Sequence, residues 1–66
     1  MNKAKIAQRL RVLRGETPKQ VVADACGVST AAISNYEAGV RVPNDNVKLA
    51  LSKLYGISVQ ELFYDE

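Results

Sequence analysis

Any chemistry in this chain has to be done without histidine and with one cysteine, Cys26. That removes an imidazole general base, the Cys-His and Ser-His nucleophile pairs, and zinc sites built from thiolates and imidazoles. Cys26 has no internal disulfide partner. Nothing near it on its helix activates a thiolate, so it reads as a small core hydrophobe. With no catalytic constellation left, the sequence reads as a non-enzyme that needs no cofactor and no metal. Charge is the remaining resource. Lys3, Lys5, Arg9, Arg11, Arg14 and Lys19 crowd residues 1–22 against the single acid Glu16. Residues 56–66 instead carry Glu61, Asp65 and Glu66 and no base. A net charge of +2 hides this division. A basic front suits a polyanion, and an acidic tail is repelled by one. On charge alone, a solvated helix face accounts for the front equally well.

The elements that must position these groups are helical. Sixty-six residues, 47% apolar and 24% charged, suit one small globular domain spanning 1–66. No apolar run approaches the ~20 residues of a membrane span. No signal-peptide segment follows Met-Asn-Lys-Ala-Lys, so a cytoplasmic location is expected. Ile6, Leu10 and Leu13 form one stripe of a first helix, which Gly15 ends. Thr17-Pro18-Lys19-Gln20 is expected to open a second helix, with Thr17 as cap and Pro18 at the first helical position. Val22, Ala23 and Cys26 face inward on it, and Gly27 stops it. Ser29 caps a third helix running to about Ala38. Asn44 caps a fourth, carrying Val47, Leu51 and Leu54. Ser58-Val59-Gln60-Glu61 is a capping box for a short fifth. No two-residue alternation is sustained, so the fold class is all-α, with five short helices.

The connection between the second and third helices is the informative feature. A small Ala23 lets two helices cross closely, and Gly27 permits a left-handed turn residue. Val28 and Ile33 plug the angle between helices that meet steeply across a short turn. Together these specify a helix-turn-helix over about residues 17–38.

Residues 20–43, QVVADACGVSTAAISNYEAGVRVP, resemble the helix-turn-helix of lambda-repressor/Cro-like (XRE-type) regulators. The flanks IAQRLRVLR and NDNVKLALSKLYGISVQELF agree, so the resemblance covers about residues 6–63. It implies a five-helix, lambda-repressor-like DNA-binding domain. It also implies a transcriptional regulator, a repressor in the leading reading, that binds a two-fold operator as a dimer with its third helix in the major groove. Two departures stand out. The loop between the first two helices is shorter than the family's. The family also has Gln directly after the cap of the second helix, where this chain has Pro18-Lys19 and then Gln20. The phosphate contact expected there falls to Lys19 or Gln20.

Steps of about 100° along the third helix put Ala31 and Asn35 almost opposite the inward Ile33, with Ser34 and Ala38 flanking. Thr30 lies near the helix N-terminus, the part that meets base edges in this motif. Projection alone fits an ordinary solvated face. With the resemblance, Thr30, Ala31, Ser34 and Asn35 become the base-reading set. Asn35 can grip adenine, and Ala31 and the Thr30 methyl can meet a thymine methyl. Arg41 and Asn44 join Lys19 and Gln20 as phosphate contacts implied by the family. Glu37 projects about 40° from Ile33, where an unpaired carboxylate is costly. Family members pair a first-helix arginine with this glutamate. That implies an Arg14–Glu37 clamp, with Arg11 as the other candidate.

Leu62, Phe63 and Tyr64 are three consecutive large apolar residues on a short helix, expected to leave a dimer interface exposed. The alternative is that Phe63 closes the bottom of the core and the dimer forms only on DNA. A competing function is an antitoxin or other partner-binding protein with autoregulatory DNA binding. The lack of a long tail to wrap a toxin counts against it, and a toxin gene beside this one would favour it.

Overall fold

The computed structural model describes residues 2–65. Met1 lies outside the described residues, as does Glu66, the last acid of the tail. The fold is all-α. Helices α1 (Lys3–Arg14), α2 (Lys19–Cys26), α3 (Thr30–Glu37) and α4 (Asp45–Tyr55) are followed by α5 (Gln60–Tyr64), a single π-helical turn. The described residues contain no strand.

Three helices start on a side-chain cap. Asn2 Oδ1 accepts from the Lys5 amide at 3.1 Å, Ser29 Oγ from Ala32 at 3.1 Å, and Asn44 Oδ1 from Val47 at 3.0 Å. Each satisfies one of the amides that a helix start leaves without a partner.

The second helix begins differently from the sequence expectation. Pro18, not Thr17, is its N-cap, extended at φ −58° and ψ 142°, and no side chain caps it. Thr17 belongs to the turn leaving α1: its amide donates to the Arg14 carbonyl at 3.0 Å, and its own carbonyl accepts from Arg14 Nη1 at 2.8 Å. Those bonds fix the Thr17 backbone as part of the turn. Lys19, rather than Pro18, therefore holds the first helical position.

Every helix contributes to one core. Ile6 and Leu10 enter from α1, Val22 and Ala23 from α2, Ile33 and Tyr36 from α3, and Val47 and Leu51 from α4. The closing pieces come from α5. Leu62 is 0% exposed and Phe63 1%, which corrects their assignment to a dimer surface. The chain has one Phe and no Trp, so its largest apolar side chain is drawn into the core, where burial is worth about 1.5–3 kcal/mol. Of the three, only Tyr64 remains partly outside, at 42%.

The capping box of the fifth helix is half formed. The Glu61 amide donates to Ser58 Oγ at 3.1 Å, and the same hydroxyl lies 3.0 Å from the Glu61 carboxylate. The turn then widens, and the Asp65 amide reaches back five residues to the Gln60 carbonyl at 2.9 Å.

Candidate nucleic-acid interface

Only Gly27, Val28 and Ser29 separate α2 from α3. Gly27 sits at φ 69° and ψ 33°, a left-handed conformation that a β-carbon strains by roughly 1–2 kcal/mol. No atom crowds the place where that β-carbon would be, so the backbone angle, not space, is what requires glycine. The Val28 amide closes the turn onto the Ala23 carbonyl at 3.0 Å, and Ala23 itself is fully buried. A larger residue at 23 would push α2 off its neighbours.

This turn sets α3 with Ile33, Tyr36 and Glu37 inward and Thr30 and Ala31 exposed. Ser34 and Asn35 are half-buried at the edge of the same outward face. Lys19 Nζ donates to Ser34 Oγ at 3.1 Å, reaching from the start of α2 onto the third helix. Gln20 turns elsewhere and donates to Asp24 Oδ1 at 2.7 Å along its own helix.

The loop after α3 folds back on the helix it leaves. The amides of Val40 and Arg41 both donate to the Asn35 carbonyl, at 3.0 and 3.3 Å. That holds the exposed Arg41 beside the outward face. Gly39, at φ 74°, makes the reversal possible. A β-carbon there would lie 3.6 Å from the Lys3 carbonyl oxygen, so the N-terminus of α1 abuts the same loop. The sequence showed Lys3 as part of a basic front but gave no sign that it neighbours Arg41's loop. Asn44, exposed at the far end of the loop, spends its Oδ1 on the α4 cap. Its amide N–H groups keep the outward donor capacity a phosphate contact needs.

Arginines from α1 fasten the inner side of α3. Arg14 meets the Glu37 carboxylate in a two-pronged pair, Nε to Oε2 at 2.7 Å and Nη2 to Oε1 at 3.0 Å. Arg11 Nη1 donates to the Glu37 backbone carbonyl. The sequence left Arg14 and Arg11 as alternatives; in the structure they grip different parts of the same residue. Glu37 is 6% exposed, and a buried carboxylate is tolerated only with such partners. The hydrogen bond to Glu37 pushes the Arg14 pKa still higher than usual. Burial, and then the nearby Glu37 charge, raise that of Tyr55.

Two cations secure the C-terminal end: Arg9, which the sequence counted in the basic front, and Lys48, which it placed in no role. Arg9 donates to the Leu62 carbonyl at 3.3 Å and to the Asp65 carbonyl. Lys48 is 6% exposed, donates to the Tyr64 hydroxyl at 2.8 Å, and lies 5.6 and 4.9 Å from the Phe63 and Tyr64 ring centres. Its position three residues before Leu51, on the buried stripe of α4, was the available signal. Cys26 is half-buried, and burial raises its thiol pKa. Among the described residues no group of His, Cys, Asp or Glu is arranged to hold a metal, and no helix is long and apolar enough to cross a membrane.

A family model described as helix-turn-helix, HTH_3, matches residues 8–62. The chain belongs to the XRE-type, lambda-repressor/Cro-like helix-turn-helix family. It is thus a DNA-binding helix-turn-helix regulator, from a family of regulatory domains rather than enzymes. No curated protein and no solved structure gives a significant match. Within this XRE-type frame, α2 and α3 are the two helices of the motif.

Proposed function

We propose that this regulator is a sequence-specific transcriptional repressor that docks α3 in the major groove and acts by covering a promoter. The observation that carries the reading is the outward face of α3. Thr30, Ala31, Ser34 and Asn35 are small and uncharged, and Arg41 is held at their edge by the Asn35 carbonyl. Small side chains let a helix sit deep in the groove, and Asn35 supplies the bidentate donor–acceptor pair that matches adenine N6 and N7. Arg41, Asn44 and the remaining N–H of Gln20 are the phosphate contacts in this reading, fixing register without reading sequence.

The working unit is a two-fold dimer. One short recognition helix covers only about four or five base pairs, too few for specificity in a genome. Since Leu62 and Phe63 are committed to the core, the dimer contact draws on apolar side chains still outside in the C-terminal half: Leu49, Leu54 and Tyr64. The selected site is then a near-palindrome with half-sites about one helical turn, roughly 34 Å, apart.

The decisive experiment selects bound fragments from a random DNA pool with the wild-type chain and with Asn35→Ala. The expected outcome is an enriched near-palindrome that the variant binds about 1–3 kcal/mol more weakly, with relaxed preference at one base pair per half-site. Unchanged preference at every position removes Asn35 from the reading set. A reporter with the enriched site across its promoter distinguishes repression from activation by the sign of its response.

A further inference from the structure

The recognition helix TAAISNYE carries no cation of its own, yet an ammonium meets it at Ser34, at the edge of its outward face. It is Lys19, whose Nζ lies 3.1 Å from Ser34 Oγ across fifteen residues of sequence. Lys19 is half-buried although it opens a surface helix. A lysine serving only as a point charge for phosphate has no need of this arrangement, which costs side-chain freedom.

The two groups together form a donor pair. An ammonium has three N–H donors, and the bond to Ser34 uses one. The Ser34 hydroxyl accepts that bond with its oxygen and keeps its proton to donate outward. The result is two donors on atoms 3.1 Å apart, presented from one edge of the reading face. In the major groove only guanine offers two acceptors side by side, O6 and N7. Adenine pairs an acceptor with a donor, thymine offers one acceptor and a methyl, and cytosine offers a donor.

We propose that Lys19 and Ser34 act as one guanine-reading pair, doing with two side chains what the fork of a single arginine does elsewhere. Lys19 is thereby a specificity residue as well as a source of charge. The assignment rests on α3 reading the major groove, and it adds a guanine to the adenine that Asn35 reads in each half-site. An adenine at the same position would turn its N6 donors against those of Lys19, so the pair rejects as well as attracts.

The test is base selection from a random DNA pool by the wild-type chain, Lys19→Met and Ser34→Ala, with circular dichroism to show retained helicity. Wild type is expected to fix one guanine per half-site. Each variant is expected to lose preference at that position by roughly five- to hundredfold, while the position read by Asn35 keeps its adenine. A second measurement leaves the protein untouched. Replacing that guanine by 7-deazaguanine, which lacks the N7 acceptor, weakens wild type and leaves unaffected whichever of Lys19→Met and Ser34→Ala has lost the donor to N7. Two results overturn the assignment: an enriched site with no fixed guanine, or a Lys19→Met variant weakened equally on every sequence with its base preference intact. If wild type enriches nothing at all, DNA reading by α3 itself fails, and the guanine pair with it.

Discussion

The two halves of the molecule use the same kinds of charged residue in opposite ways. Around the helix-turn-helix, Arg14 and Arg11 turn inward onto Glu37, and the outward edge keeps Lys19 and Arg41. At the C-terminal end, Arg9 is spent on the Leu62 and Asp65 carbonyls and Lys48 on Tyr64. At least four of the nine cations therefore serve the chain itself. The difference teaches that a basic sequence balance overstates the charge available to DNA. The helix-turn-helix is a platform that buries its charges to free its surface, whereas the C-terminal segment is a short strap held on by cations.

The sharpest break of this comparison is at Phe63. Phe63→Ala opens a cavity in the core and is expected to cost about 3–5 kcal/mol in urea unfolding. Tyr64→Ser, one residue on, is expected to keep helicity and to cost less than Phe63→Ala, since it opens no core cavity and removes only one of the partners of Lys48. If Tyr64 also contributes to the dimer contact, sedimentation of this variant at tens of micromolar shows a shift toward monomer. Equal destabilisation by both substitutions would mean that the strap, not the core, carries the end of the chain.

The next largest effect is at Arg14. Arg14→Met leaves the buried Glu37 carboxylate without its main partner, and Tm is expected to fall by on the order of ten degrees. Adding Glu37→Leu to that variant removes the stranded charge and is expected to restore much of the loss. A double variant no more stable than the single one would show that the pair does more than neutralise itself.

Salt dependence sharpens the contrast between free and committed cations. Log affinity should fall linearly with log salt, losing on the order of a decade between 50 and 200 mM. Arg41→Ala is expected to flatten the slope by about one and to weaken all sequences alike. Arg9→Gln should leave the slope unchanged because its guanidinium is bound to carbonyls at the other end of the molecule. Equal slopes for both variants would erase the distinction.

The smallest effect is alkaline. Burial favours the neutral Cys26 thiol, so its folded pKa lies above the ordinary 9.0. A raised pKa contributes stability that is present below the unfolded value and lost as pH climbs past it. Stability should therefore decline modestly above pH 9, with Tyr55 adding to the loss above its ordinary 10.0. Cys26→Ala should show the weaker decline, measured as urea midpoints across that range.

What could be read from the sequence was whatever is decided within a few residues. The Ser29 and Asn44 caps, the glycine turn at 27 and the inward turn of Glu37 follow from local spacing, and α3 forms as that spacing requires. The start of α2 was misplaced because Arg14 draws the Thr17 carbonyl into the preceding turn, a contact the dipeptide Thr17-Pro18 does not reveal. Leu62 and Phe63 were assigned to a dimer surface because three consecutive large apolar residues on a short helix were not expected to leave only Tyr64 outside, and the alternative that Phe63 closes the core is the one the structure shows. The deciding fact was the shortage of other large side chains for the core. Lys48 went unnoticed because a lysine is assumed to be wet; its burial is made tolerable by the Asp45 carboxylate at 3.9 Å together with the Tyr64 hydroxyl and the Phe63 and Tyr64 rings that the returning strap brings.

Asn35 has two attachments that are chemically independent. Its side chain faces outward, while its carbonyl holds the amides of Val40 and Arg41. A substitution at 35 changes the former and leaves the latter in place, because every residue supplies the same carbonyl. In the proposed reading, operator preference can therefore change at this position without disturbing the loop that carries Arg41. A lineage of such regulators could diverge in target while keeping its grip, one substitution at a time.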